Sequence, residues 1–208
     1  MGKEALIVKR DILFKEKQFQ GFSKKEEYDF IPIILGNFEY YLRGDDLENN
    51  INLQQIIPYV WIINLNEKKV FAYKRASGKQ NYSEERLMNK ISCGVGGHVD
   101  KEDLISKGGV IIKAMMRELM EEVKMKKYPK PKIIGFLNDD ADSVGRVHFG
   151  IVAIAETKEV VSKRDSEMAH GQFYSVDELE KLFADPANEV ENWTKMSWPF
   201  VKGYLKSI

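Results

Sequence analysis

Cysteine is nearly missing from this chain, with Cys93 the single example in 208 residues. One thiol excludes an intramolecular disulfide and fits a reducing compartment. Nothing beside it in sequence marks it as a nucleophile, so it reads as a packed thiol. Net charge is missing too: 32 basic residues face 32 acidic ones. That balance gives no broad basic surface for extended nucleic acid, whereas a small phosphorylated ligand needs only local positive groups. Long apolar runs are also absent. The longest, Ile56 to Leu65, contains Pro58 and is too short to span a bilayer. The opening residues Met1 to Leu6 lead into a charged segment instead of a signal-type apolar stretch. The expectation is a cytoplasmic protein with no membrane role, in which one core dominates.

What is present is a mixture of strand and helix signals without repeats or low-complexity tracts. Residues 1–53 read as an N-terminal extension with two short strand-like pieces, Ala5–Val8 and Phe30–Leu35, and residues 54–208 as the main domain. Ile56–Ile63 is β-branched and aromatic, which predicts a buried strand, and Lys69–Arg75 follows a polar turn as its hairpin partner. Lys132–Leu137 and Val147–Glu156 read as two further strands around an acidic loop, Asn138–Ser143, taken as a solvated turn because it lacks the glycine and distal glutamate of a calcium loop. Ser175-Val176-Asp177-Glu178 is a capping box opening a helix to about Phe183. Trp193–Leu205 has helical spacing that Pro199 limits or kinks. Strands interspersed with a few helices predict an α/β fold.

The chemistry concentrates in Arg117-Glu118-Leu119-Met120-Glu121-Glu122. The three glutamates stand at i, i+3 and i+4, an arc of about 100° on a helix. Ile112, Met116, Leu119 and Val123 are expected on the opposite, core-facing side. Three like charges on one short arc repel one another unless something cationic sits there. A hard divalent ion prefers such oxygens and works beside substrate phosphates. Arg117 lies i, i+4 from Glu121 and can hold it. Acidic helix faces are usually just solvated, but a glycine-dense turn, Ser92 to Val99, precedes this one and would let backbone approach a ligand closely.

Turn and helix together resemble the signature of the Nudix hydrolases, which runs from a glycine through a glutamate to Arg-Glu-apolar-x-Glu-Glu-x-Gly-apolar. Gly97 matches the opening glycine, Arg117 to Glu122 the central run, and Met125 the closing apolar position. Asp103 replaces the first glutamate, with Glu102 an equal claimant. Six extra residues, with Ser106 to Gly109 inside the lengthened interval, separate Asp103 from Arg117, so the helix is expected to begin near Gly109. Lys124 stands where a glycine ends the family's helix.

The resemblance implies a mixed β-sheet sandwiched between α-helices, and hydrolysis of a diphosphate linkage in a nucleoside diphosphate derivative. Mg²⁺, with Mn²⁺ as an alternative, would be held by Glu118, Glu121, Glu122 and the Gly97 carbonyl. Either Glu121 or Glu167, the latter before a Gly-x-aromatic stretch, would accept the proton from water, and Arg117 would orient its neighbours. Lys74, Arg75 and Arg43 could meet phosphate, although exposed Lys and Arg usually just solubilise; His98 could approach it, while His148 reads as structural. Trp61, Tyr59 and Phe71 are expected in the core. Two competing readings are a catalytically silent nucleotide-binding domain of the same fold and a structural domain whose acids are surface charge. The extension fits either a lid or a swapped element of a homodimer.

Overall fold

Twelve residues, Leu53–Asn64, form the longest strand of the protein (β4), nearly all of it buried. The computed structural model describes residues 3–76, 88–104, 109–164, 166 and 168–208. The chain folds as two compact units. The first comprises Met1–Tyr59, Gly96–Met115 and Lys132–Ala153; the second comprises Val60–Val95, Met116–Pro131 and Ile154–Ile208.

In the first unit β1 (Glu4–Lys9) pairs antiparallel with both β3 (Glu39–Leu42) and the start of β4. On the other side of β4 lies β10 (His148–Thr157), then β9 (Lys132–Asn138) and β2 (Gly21–Lys24), the last two antiparallel. The Gln54 amide donates to the Arg146 carbonyl at 2.7 Å, so β4 and β10 start side by side. In the second unit the Leu65 N–H donates to the Thr157 carbonyl at 2.9 Å, so they also end side by side. The two strands therefore run in the same direction and the sheet is mixed. The second unit continues from β4 to β5 (Lys69–Arg75) and β12 (Met168–Tyr174), each antiparallel to its neighbour. Short strands β6 (Ile91–Ser92) and β7 (Gly94–Val95) add to β5 and β4.

Pro58 sits inside β4, where a missing N–H ordinarily breaks a ladder. Along that edge, pairing with β1 ends at Gln55 and pairing with β7 begins at Val60, so the proline falls in the gap. Its carbonyl meets the glycine-dense turn: a Cβ on Gly96 would lie 2.0 Å from the Pro58 oxygen. At Gly96 the absence of a Cβ serves close packing of the turn against β4.

Five phenylalanines cluster in the first unit, three of them fully buried and Phe14 and Phe19 half-buried at the margin. Phe14, Phe19, Phe30, Phe136 and Phe149 meet largely edge to face at centroid distances of 5.1–6.2 Å, each pair adding about 0.5–1.5 kcal/mol beyond area burial. In the second unit Trp61 stacks on Trp198 at 6.0 Å and donates its indole N–H to Ser197 at 3.2 Å. Trp198 and Ser197 lie on α6 (Asn192–Ser207), which continues through Pro199. Its buried side chains, Trp198, Val201 and Leu205 among them, offset the lost backbone bond. Trp61, Tyr59 and Phe71 are all in the core, as expected.

Two expectations fail for identifiable reasons. Phe30–Leu35 is not a strand: Ile31–Asn37 is a helix (α2), with proline in its first turn and the Asp29 carboxylate accepting the Ile31 N–H at 3.1 Å. A proline-initiated turn whose first N–H is satisfied by Asp29 outweighs the β-branched run. The acidic loop is a solvated turn only at residues 141–143; its first residues are built into the protein. Asp139 is buried and accepts from Gln20 at 2.9 Å, Asp140 takes both oxygens' worth of Arg10 at 2.9 and 2.7 Å, and Asp142 accepts from the Gly145 N–H at 2.8 Å. A Cβ on Gly145 would lie 1.9 Å from the Asp139 carbonyl, so the loop closes on itself tightly.

Cys93 is buried, its N–H donating to the Thr194 hydroxyl at 3.1 Å, and burial pushes its thiol well above the ordinary value. A disulfide reagent at pH 8 should leave Cys93 unmodified in the native protein and titrate one thiol in denaturant; rapid native labelling would contradict the packing. Gly96→Ala should lower the unfolding free energy by about 1–3 kcal/mol, the usual cost of overpacking. Denaturant midpoints of the two proteins measure it, and equal midpoints would contradict the close approach to Pro58.

Candidate functional site

The glutamate-bearing helix spans Val110–Glu122 (α4), starting one residue after Gly109 as the sequence suggests. Ser106 to Gly108, in the extra segment before it, lie outside the described residues. The buried stripe of α4 is Val110, Ile111, Ala114, Met115 and Leu119, continued by Val123. Ile112 and Met116 are only half-buried and Met120 is 43% exposed, so the expected core face is rotated. The cause is legible: Val110-Ile111-Ile112 and Met115-Met116 offer two overlapping apolar stripes, and packing selects the one through Ile111 and Met115.

That rotation changes the setting of the acids. With Ile111 at zero, Glu118 and Glu122 fall about 20° to either side of it, within the buried stripe, and Glu121 lies about 80° away at its margin. Glu118 and Glu122 are accordingly half-buried and Glu121 is exposed. The glutamates do not stand opposite the core; two of them replace apolar residues on its extension. Withdrawing carboxylates from water is unfavourable unless cationic or donor groups face them.

Arg117 supplies one such group. Its Nη1 lies 2.7 Å from Glu118 Oε1 and 3.0 Å from Glu121 Oε2, joining two carboxylates of one helical turn. The side chain of Glu118 is 12% exposed and that of Glu121 54%, so the contact with Glu118 is the better shielded and the stronger. The expected i, i+4 pair is present, and the adjacent pair to Glu118 is an addition.

The helix ends without the glycine of the family pattern because the chain leaves it extended. Val123–Lys124 form β8, antiparallel to β11 (Ser162–Lys163). The Glu122 carbonyl accepts the Arg164 N–H at 2.8 Å, and the Val123 carbonyl accepts the Tyr128 hydroxyl at 2.9 Å. These donors satisfy terminal carbonyls that a glycine cap otherwise serves, so Lys124 needs no left-handed backbone.

The other sequence-derived candidates are spread over the chain. Gly97 belongs to the first unit, whereas Arg117, Glu118, Glu121 and Glu122 belong to the second. Glu167 lies outside the described residues. Asp103 is buried in a capping box with Asp100, its Oδ2 accepting the Asp100 N–H at 3.0 Å, a turn-stabilising task. Arg75 is buried against the Glu191 carboxylate and over the Tyr73 ring at 5.5 Å, which holds it within the protein fabric. One grouping escaped sequence reading: Glu48, His98 and His148 each bring a potential ligand atom within 4.8 Å of the others. Nearly fifty residues separate each from the next, so no local spacing could reveal it.

No family model matches the chain. Protein YmaB of Bacillus subtilis (strain 168) is 32% identical over 205 residues, covering 94% of this chain and 95% of YmaB. The crystal structure of Tm1382, a candidate Nudix hydrolase, superposes with a TM-score of 0.76 at 25% identity over 99% of this chain and 100% of Tm1382. That coverage takes in nearly all of residues 1–53. The NUDIX domain of Shewanella oneidensis NrtR, solved with ADP ribose, reaches a TM-score of 0.52 at 11% identity, over 74% of this chain and 88% of its own. A bifunctional NMN adenylyltransferase/ADP ribose pyrophosphatase from Francisella tularensis gives 0.51 at 10% identity, over 73% of this chain and 41% of its own. The last two likenesses speak for the fold alone. The mixed α/β fold and the whole-length match to Tm1382 show that the chain has the Nudix fold, and its 32% identity to Protein YmaB makes it a member of that protein's family.

Proposed function

We propose that the protein hydrolyses a diphosphate linkage in a nucleoside diphosphate derivative, using Glu118, Glu121 and Glu122 to hold a divalent cation. The observation that carries this reading is the placement of Glu118 and Glu122 on the buried stripe of α4, with Arg117 bridging Glu118 and Glu121. The donor set fits Mg²⁺ or Mn²⁺, since it consists of carboxylate oxygens and contains neither sulfur nor imidazole. A carboxylate has about four lone-pair sites, enough to accept an arginine N–H and also bind a cation. Bound there, the cation offsets diphosphate charge and lowers the pKa of a coordinated water.

The chain's own groups have distinct tasks. Arg117 fixes the rotamers of Glu118 and Glu121 and so presets the spacing of their oxygens. Glu118, better shielded than Glu121, serves as a ligand. Glu121 reaches solvent and can take the proton of the attacking water, a task Glu167 can fill equally well. Residues 54–208 carry this machinery, with residues 1–53 as an extension to it. ADP-ribose is the first substrate to try, because two proteins of the same fold are described with it. Binding without cleavage, the alternative reading, fits poorly with the retention of all three acids.

A product-release screen with Mg²⁺ over nucleoside triphosphates, nucleotide sugars, ADP-ribose, dinucleoside polyphosphates and dinucleotide cofactors tests the proposal. At least one should be cleaved, and Glu121→Gln should lower kcat by about 10²–10⁴-fold with the melting temperature little changed. Activity unaffected by chelator and by Glu121→Gln would overturn the assignment. Saturable binding of a compound with no turnover would favour the silent domain.

A further inference from the structure

We propose a second metal site, of different chemistry, formed by Glu48, His98 and His148, which takes Zn²⁺. All three residues belong to the first unit. Glu48 ends the short helix Asp45–Glu48 (α3), His98 follows the glycine-dense turn, and His148 opens β10. The chain has only three histidines, and two of them meet here. One ligand atom from each residue lies within 4.8 Å of the other two. Around tetrahedral zinc such atoms stand about 3.3 Å apart, so side-chain rotations of about an ångström close the site.

The hydrogen bonds around the rings give an independent reason. His148 Nδ1 lies 2.7 Å from the Val144 carbonyl. A carbonyl only accepts, so the proton is on Nδ1 and the lone pair of the neutral ring is on Nε2. His98 Nε2 lies 2.7 Å from Gln55 Oε1, while Gln55 Nε2 points at Glu48 Oε1 from 3.4 Å. That carboxylate orients the amide: nitrogen toward Glu48, oxygen toward His98. The His98 proton is therefore on Nε2, with the lone pair on Nδ1. Zinc-binding histidines show the same outer arrangement, the second ring nitrogen donating to a carbonyl or carboxylate that sets tautomer and orientation. The rings are 5.6 Å apart at 65°, a crossed geometry rather than a stack.

Two imidazoles and one carboxylate suit Zn²⁺ and are a poor set for Mg²⁺, which favours oxygen and keeps its waters. Three protein ligands leave a fourth position for water or an anionic oxygen, unlike closed structural zinc sites. The three-glutamate arc of α4 offers the opposite preference, so the two sites sort a hard cation from a borderline one.

Zn²⁺ titration of the full chain, after chelator treatment, followed by ¹⁵N histidine-ring NMR, tests this directly. His170 is exposed and serves as an internal control. Signals of His98 and His148 should move together to metal-bound values while those of His170 stay put. Gln55→Ala should weaken Zn²⁺ binding about 10–100-fold through loss of ring orientation, and His148→Ala should abolish the response at His98. Glu121→Gln should leave the histidine response intact, which keeps this test separate from that of the α4 site. Rings that do not respond to Zn²⁺ in the wild-type protein, or a response confined to His170, would overturn the site; this readout needs no variant to fold.

Discussion

Two carboxylates set into the buried stripe of one helix constrain everything near them. Glu118 and Glu122 occupy positions where α4 otherwise carries Ile111, Met115 and Leu119. Arg117, beside Glu118 and one turn from Glu121, lies at hydrogen-bonding distance from both and so offsets the cost of placing Glu118 there. An ion pair that shielded is seldom worth much as stabilisation alone. Under the proposed function its use lies in presetting the oxygens of Glu118 and Glu121. The helix is anchored through Leu119 and Val123, and its last carbonyls are tied to Arg164 and Tyr128.

Much of this was open to reading from the residues. Strands β4, β5, β9 and β10 carry dense β-branched and aromatic runs, and the helix opening at Ser175 announces itself by a capping box that the structure contains. The Arg117–Glu122 motif is local, so its residues stay together whatever the rest of the chain does. The misreadings share a cause: tertiary partners distant in sequence decided the outcome. Helix α2 looked like a strand until Asp29 and Pro32 supplied its start. The acidic loop looked solvated because Arg10 and Gln20, its partners, lie more than a hundred residues earlier. The rotation of α4 was hidden because two apolar stripes were equally consistent with the sequence.

The glycine-dense turn shows how one residue type can serve an unexpected purpose. Gly96 is required by the oxygen of Pro58, and that oxygen stands where a gap in strand pairing admits a proline at all. One residue beyond Gly97, His98 enters a polar group with Gln55 and Glu48. The short run from Gly94 to Val99 thus combines strand pairing, close backbone packing and a side chain of metal-binding type. Its composition reflects several local demands at once.

The account stands on the claim that the acids of α4 gather around a cation. An anomalous difference map from a crystal soaked in Mn²⁺ addresses it most directly. The account predicts a peak bonded at roughly 2.1–2.2 Å to oxygens of Glu118, Glu121 and Glu122. A map with no peak there, and with those carboxylates bound only to Arg117 and water, would contradict it.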